Sequence, residues 1–263
     1  VSGTFHAIVL AGDRGPDDPL LRHTGVSAKA LLPLAGQPMV LRVLDALGAS
    51  TAIRGMTLVG PDQALLADCP ALSALIAAGR LAWLPPQPSP SASALAALAG
   101  LAADQPVLLT TADHALLHGA WVDDFCAAAL ASDKDAVVGL TKLAGVQAAF
   151  PQSRRTALRF RDGAFCGCNL FAFLNPAGRR APAFWRQLEQ RRKQPHRLAA
   201  ALGLGTLLKY VTRQLTLADG FERLSQRVGA RLGAVLLDDP RAAVDVDSVA
   251  DLELVQALLR GGA

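Results

Sequence analysis

Phe5-His6-Ala7-Ile8-Val9-Leu10-Ala11-Gly12-Asp13-Arg14-Gly15 decides how this chain is built. A short apolar run stops at Ala-Gly and opens into a polar loop, the pattern of a buried strand feeding a turn. The loop, residues 12–28, is rich in Gly, Pro and Asp. At about 17 residues it is longer than a plain connection needs, and function is the usual reason for keeping such a loop. Beyond it, Lys29-Ala30-Leu31-Leu32-Pro33-Leu34-Ala35-Gly36-Gln37-Pro38 leads into a helical pattern at 39–47. Glycines in Leu10, Ala11, Gly12, Asp13, Arg14, Gly15 let backbone N–H groups approach an oxyanion, and Arg14 and Lys29 add charged donors. The spacing is neither G-x-x-x-x-G-K-[ST] nor G-x-G-x-x-G, so it is neither a P-loop nor a dinucleotide fingerprint.

Outward from this stretch the chain alternates. Strands are expected at Ile53–Val59, 81–84, Val107–Thr111 and 136–140, with helices at 91–103 (Ser at its entrance) and 121–131. That alternation predicts an α/β fold, a mainly parallel sheet in three α/β/α layers. After Val146 the pattern changes. Strands at 157–161 and 166–173 flank Asp162-Gly163, a hairpin signal. Helical patterns follow at 184–192, 198–201 and 215–228, then a strand at 231–237 and a closing helix at 248–259. Ser248-x-x-Asp251 gives that last helix a capping-box start. One domain over 1–263 is expected, in three parts: an alternating half at 1–146, a basic region with an inserted hairpin and extra helices at 147–233, and a return strand and helix at 234–263.

Composition narrows the function. With 51% hydrophobic and 18% charged residues among 263, the chain forms a core and is not disordered. Only 5% of residues are aromatic, too few for the stacking platforms of a single-strand nucleic-acid binder, and no nucleic-acid partner is expected. The longest uncharged run, Leu81 to Ala103, contains Pro85, Pro86, Pro88 and Pro90 and several serines, so no regular transmembrane helix is expected there. The four cysteines form no C-x-x-C, and the opening residues carry no basic leader. A reduced, cytoplasmic setting is therefore expected. The net charge of +4 conceals an asymmetry. Residues 151–213 hold 13 Lys/Arg against Asp162 and Glu189, a net +11, while the rest of the chain is −7. A basic segment in an acidic frame suits an anionic acceptor or peripheral contact with an anionic membrane, although a solvated helix face also accounts for it.

A strand ending Leu-Ala-Gly, a basic loop and then Lys-x-Leu-Leu-Pro-Leu-Ala-Gly-x-Pro-Met resembles the MobA-like NTP transferases of the nucleotidyltransferase superfamily, which includes the sugar-phosphate nucleotidyltransferases. The resemblance runs through Asp113 and returns at 244–254. It implies a GT-A-like, Rossmann-related fold in which 1–146 is the nucleotide-binding half, the Leu-Ala-Gly loop wraps an NTP and Lys29 contacts its phosphates. The family's usual second Gly is Asp13 here, and the loop before Lys29 is longer than in many members. The mid-chain metal-binding Asp of the family carries over to Asp113, and its late Asp to Asp247, with Mg²⁺ (or Mn²⁺) as the cofactor. Alone, an Asp at a strand end is more often a helix cap; the signature upstream is what favours ligation. His114 and His118 read as core or surface residues, and Asp251 as a helix cap. Asp245 and Asp247 also spell D-x-D, a glycosyltransferase motif, but at the wrong place in the chain for that class. Cys166 and Cys168 share a strand face and read as buried thiols. Gly167 and Asn169 resemble the strand that touches the acceptor in sugar nucleotidyltransferases. With Arg161, Arg192 and Lys193 they form the candidate acceptor-binding set. Catalytic roles fall to Lys29 and Arg14. The function implied is transfer of NMP from an NTP to a phosphomonoester, with pyrophosphate released. A nucleotide-sugar glycosyltransferase and a non-catalytic nucleotide-binding protein are the alternatives.

Overall fold

In the computed structural model, described for residues 4–13, 15, 18–191 and 203–261, one sheet organises the chain. Its strands are β1 (Phe5–Leu10), β4 (Ile53–Val59), β5 (Ala82–Leu84), β6 (Val107–Thr111), β7 (Ala136–Lys142), β8 (Leu158–Phe160), β9 (Gly163–Phe173) and β10 (Leu232–Leu236). The order across the sheet is β10-β7-β9-β6-β1-β4-β5, with β8 paired to β9. A small separate ladder joins β2 (Pro33–Leu34) to β3 (Gln37–Pro38). β1 is parallel to both β4 and β6, whereas β9 is antiparallel to both β6 and β7. The expected hairpin is therefore no appendage: its second strand is wedged into the middle of the sheet.

Alternation of side chains sends the two faces of each strand to different helix layers. Phe5, Ala7 and Val9 join Leu108 and Val137 under α2 (Met39–Ala49) and α5 (Gly119–Ala131). Ile8, Leu10, Val107 and Leu109 face α4 (Pro90–Ala99) and α9 (Leu217–Val228), and α7 (Arg180–Arg191) packs against α4 and α9. The three layers are those the alternation predicts. α2 forms because its apolar positions recur every three to four residues: Met39, Val40, Val43, Leu44 and Leu47 are all buried. Each such side chain is worth roughly 1.5–3 kcal/mol when fully buried. α4 starts where Ser89 Oγ accepts the Ala92 N–H and Pro90 takes the first turn.

Among the described residues four helices lie outside the sequence pattern: α1 (Pro19–Thr24), inside the long loop, α3 (Pro70–Ala77), α6 (Leu143–Ala149) and α8 (Leu204–Val211). α1 is only six residues long, and Asp18 caps it by accepting the Leu20 N–H. A turn that short shows no full period. α8 occupies a stretch to which no element was assigned, and the expected helix at 198–201 lies outside the described residues. α10 (Val249–Arg260) closes the chain with the anticipated cap, since Asp251 N donates to Ser248 Oγ at 3.2 Å.

The chain passes from β1 to β4 and β5 on one side, then returns to β6 on the other. Such a reversal leaves a crevice beyond the strand ends, where open α/β sheets hold ligands. Here that crevice lies between Leu10-Ala11-Gly12 and Ala112-Asp113, joined by the Ala112 N–H bond to the Leu10 carbonyl at 2.9 Å.

Candidate active site

Three elements distant in sequence converge at the crevice. Lys29 opens a single 3₁₀ turn, Lys29–Leu31, and its backbone N–H donates to Asp13 Oδ1 at 2.9 Å. Asp13 thus fastens the glycine loop to the lysine turn. Asp113 leaves the end of β6, where Thr111 Oγ1 donates to its Oδ1 at 2.5 Å. Asp247 sits just ahead of α10, on a loop tied down by the Val246 N–H bond to the Asp113 carbonyl at 3.0 Å.

The Lys29 ammonium closes the group. Its Nζ donates to Asp113 Oδ2 at 2.8 Å and to Asp247 Oδ1 at 2.5 Å. Lys29 is 9% exposed. Burial opposes its charge, but Asp113 and Asp247 outweigh that and hold its pKa above the usual lysine value. An ammonium has three donors, and two are engaged by the carboxylates.

A second tier supports the first. The Arg155 side chain, 8% exposed, bonds Asp245 through Nη1 and reaches Asp251 Oδ1 through Nη2 at 2.6 Å. Asp251 also accepts the Asp247 N–H at 3.3 Å and the Ser248 hydroxyl at 2.6 Å, so one carboxylate serves the helix cap, the loop and Arg155 together. Asp245 is further held by Asn169 Nδ2 at 3.2 Å. Burial, then the neighbouring Asp113, raises the Asp245 pKa; Arg155 pulls it down, and Asp247 adds to the rise. Asn169 reaches it because β9 carries extra residues opposite Gly139: Val138 pairs with Phe171, yet Leu140 pairs with Gly167. The surplus is absorbed with Asn169 at φ +49°, a conformation Asn tolerates, and the bulge re-aims its side chain.

Of the residues singled out in the sequence, Asp13, Lys29, Asp113 and Asp247 stand together; Leu10 and Ala11 are core residues at the end of β1, exposed Gly12 follows them, and the Gly15 carbonyl accepts the Asp18 N–H. Arg14, Arg192 and Lys193 lie outside the described residues. Gly167 is exposed, and a side chain there would meet open space. Arg161 sits at the β8–β9 hairpin tip, where its charge faces Asp219 on α9. His114 is buried, and burial outweighs the pull of Asp113 to push its pKa down to about 4, so it is a neutral core residue. His118 caps α5 by accepting the Ala120 N–H at 3.3 Å. Cys166 and Cys168 are buried side by side in the core beneath Val146, and burial pushes the Cys168 thiol up to about 12.

Sequence reading missed Arg155, counted there with the free basic charge, and Asp245, weighed only as half of a D-x-D. Gly60 was missed as well: at φ +88° it lies so close to Ala11 that a Cβ would stand 2.8 Å from the Ala11 carbonyl oxygen. Only glycine fits there, because the close contact is with backbone. Among the described residues no cluster of three metal-ligating side chains is found. Asp113 and Asp247 nevertheless present hard oxygen donors that already share one cation. Two carboxylates are what Mg²⁺ uses when substrate phosphates complete its shell, so the pair fits that ion.

A glycine loop, a buried lysine and converging carboxylates meet at the reversal of an α/β sheet, where proteins of this class hold ligands. The chain belongs to the MobA-like NTP transferase family, whose domain matches residues 7–161, and it is a nucleotidyltransferase by that membership. Comparison with curated proteins yields no match. Among solved structures, it is similar to a protein from Thermus thermophilus described as a hypothetical transferase, with 31% identity and a TM-score of 0.77 over 94% of this chain and 99% of that one. It shares its fold with CMP:2-keto-3-deoxy-manno-octonic acid synthetase complexed with CTP (13% identity, TM-score 0.58, all of both chains). The 4-diphosphocytidyl-2C-methyl-D-erythritol synthase of Anaerococcus prevotii is a third (14%, TM-score 0.59, 98% of this chain and 96% of that one). The GT-A-like α/β fold expected from the resemblance is the one present.

Proposed function

We propose that this chain transfers a nucleoside monophosphate from an NTP to an anionic phosphomonoester and releases pyrophosphate. The reading rests on one observation above all: Lys29, Asp113 and Asp247 meet within hydrogen-bond reach at the topological reversal, beside the glycine loop. An acceptor phosphate oxygen attacks the α-phosphorus, the bond from that phosphorus to the β-phosphate bridging oxygen breaks, and pyrophosphate carries away the electron pair. No covalent enzyme intermediate is needed, so positioning and charge stabilisation suffice.

The Leu10–Gly15 loop would hold the triphosphate through backbone N–H groups. Lys29, with one donor remaining, would bridge the carboxylates and a phosphate oxygen and offset charge gathering on the leaving group, with Arg14 as a second cation. Asp113 and Asp247 are the residues that would hold Mg²⁺ or Mn²⁺, and the chemistry such an ion would supply is neutralisation of phosphate charge. Asp245 takes no part as a ligand in this reading, because its oxygens are given to Arg155 and Asn169. Asn169 and Gly167 border the acceptor side, with Arg161, Arg192 and Lys193 as further candidate contacts.

The test is Mg²⁺-dependent pyrophosphate release with each of the four common NTPs against sugar-1-phosphates, lipid-headgroup phosphates and phosphorylated cofactors. Release with one base and one acceptor class is expected, falling at least about 100-fold in Asp113→Asn. Absence of pyrophosphate from every pair, with nucleoside diphosphate released from a nucleotide sugar instead, overturns the reading in favour of glycosyl transfer.

A further inference from the structure

α8 is apolar on two faces. Leu207 and Tyr210 turn inward, the latter edge-on to Phe160 of β8 at 5.6 Å. On the outward face, Leu204, Leu208 and Val211 are 74%, 65% and 70% exposed. Their spacing, i, i+4 and i+7, makes one continuous stripe. An apolar helix face of this kind is ordinarily covered. Here the outer face has no cover among the described residues.

The charges around the stripe are of one sign. Lys209 and Arg213 are exposed at its C-terminal end, and the Arg227 guanidinium lies against Gly203 at its N-terminal end. Between Gln190 and Ala218 the sequence holds six Lys/Arg and no Asp or Glu. The acids that flank this run, Glu189 and Asp219, are engaged, Glu189 by the Ser91 hydroxyl and the Asp219 carboxylate by Thr216; Asp162, across from the start of α9, accepts the Leu217 N–H. A second copy of the chain is poorly suited to this face. A two-fold apposition of the stripe would bring the cations of one copy onto those of the other.

We infer that the outer face of α8 docks on an anionic lipid surface, with Leu204, Leu208 and Val211 in the acyl boundary and Lys209, Arg213 and Arg227 at the headgroup phosphates. Apolar insertion combined with electrostatic attraction is how amphipathic helices hold an interface, and neither alone is strong. The stripe is short, so binding is reversible and depends on both. The inference stands apart from nucleotidyl transfer and would survive failure of that reading.

Flotation of the whole chain with vesicles of phosphatidylcholine alone, and of phosphatidylcholine with a third phosphatidylglycerol, tests it. Binding to the anionic vesicles alone is expected, weakening about fivefold for each of Lys209→Ala and Arg213→Ala and about tenfold for Leu208→Glu. Leu208 touches solvent and not the core, so melting temperature should hold in that variant, and pyrophosphate release with soluble acceptors should be unchanged. Equal recovery with both vesicle types, no recovery with either, or undiminished binding by Leu208→Glu overturns the inference. So does a dimer in sedimentation velocity that Leu208→Glu converts to monomer, because it gives the face to a second copy.

Discussion

Replacing Lys29 by Met removes the charge and keeps most of the side-chain volume. In the native structure the ammonium is the shared partner of Asp113 and Asp247, at 2.8 and 2.5 Å, so its loss leaves two carboxylates facing each other beside Asp245. Deleting one partner of a fully buried pair costs about 3–5 kcal/mol. The Asp113 and Asp247 side chains are 19% and 34% exposed, and water screens them in part, so about 2–3 kcal/mol is the appropriate figure. For a chain of this length that corresponds to a fall of about 4–12 °C in melting temperature. Two paired carboxylates without their ammonium also make a better cation site. Thermal melts in chelator and in millimolar Mg²⁺, without nucleotide, should show the wild type nearly indifferent and Lys29→Met strongly stabilised by the ion, following the dependence of stability on ligand concentration. Turnover should be lost in both conditions, since Mg²⁺ restores the carboxylates' neutralisation and not the donor to phosphate. A Lys29→Met protein that melts within about 1 °C of wild type, or one whose Mg²⁺ response matches wild type, refutes the idea that Lys29 holds the carboxylates together.

Arg155→Met should cost about 3 kcal/mol by leaving the buried Asp245 without its cation, and adding Asp245→Asn should recover a large part of it; additive losses in denaturant melts of the double-mutant cycle would exclude the coupling. Asn169→Gly keeps the left-handed backbone and should lose less than about 1 kcal/mol, whereas Asn169→Val should lose about 1–3 kcal/mol through strain at φ +49°; similar losses for both would refute the bulge account. Asp135 is bonded to Arg231 at 3.0 Å, and that hydrogen bond first, with Asn175 assisting against burial, lowers its pKa to about 2. A folded pKa below the unfolded value means stability that is complete above about pH 4 and is lost as pH falls towards 2. With Arg231 largely exposed, about 1–2 kcal/mol is expected, so wild type and Asp135→Asn should differ at pH 7 and converge near pH 2.

Sequence alone determined the strands that carry the site. Phe5–Leu10 and Val107–Thr111 have the limits read from their apolar runs, because a strand buried on both faces is nearly continuous hydrophobic sequence bounded by polar or glycine residues. Asp113 at a strand end and the Ser248–Asp251 cap were legible for the same reason: both are local patterns. α3 and α6 were not, since Ala-rich turns with few buried residues show little period. The meeting of Lys29 with Asp113 and Asp247, 84 and 218 residues away, belongs to the tertiary structure. So does the fate of the basic segment. Counted along the chain, Arg155 was one positive charge among many; in the fold it is buried against Asp245 and Asp251 and serves the protein itself, while Lys209 and Arg213 remain at the surface. Periodicity reports which side of an element meets the core, but the partner of a charge is set by which loops the sheet order brings to one end. That order, with β9 reversed between β6 and β7, follows from packing that no short window of sequence contains.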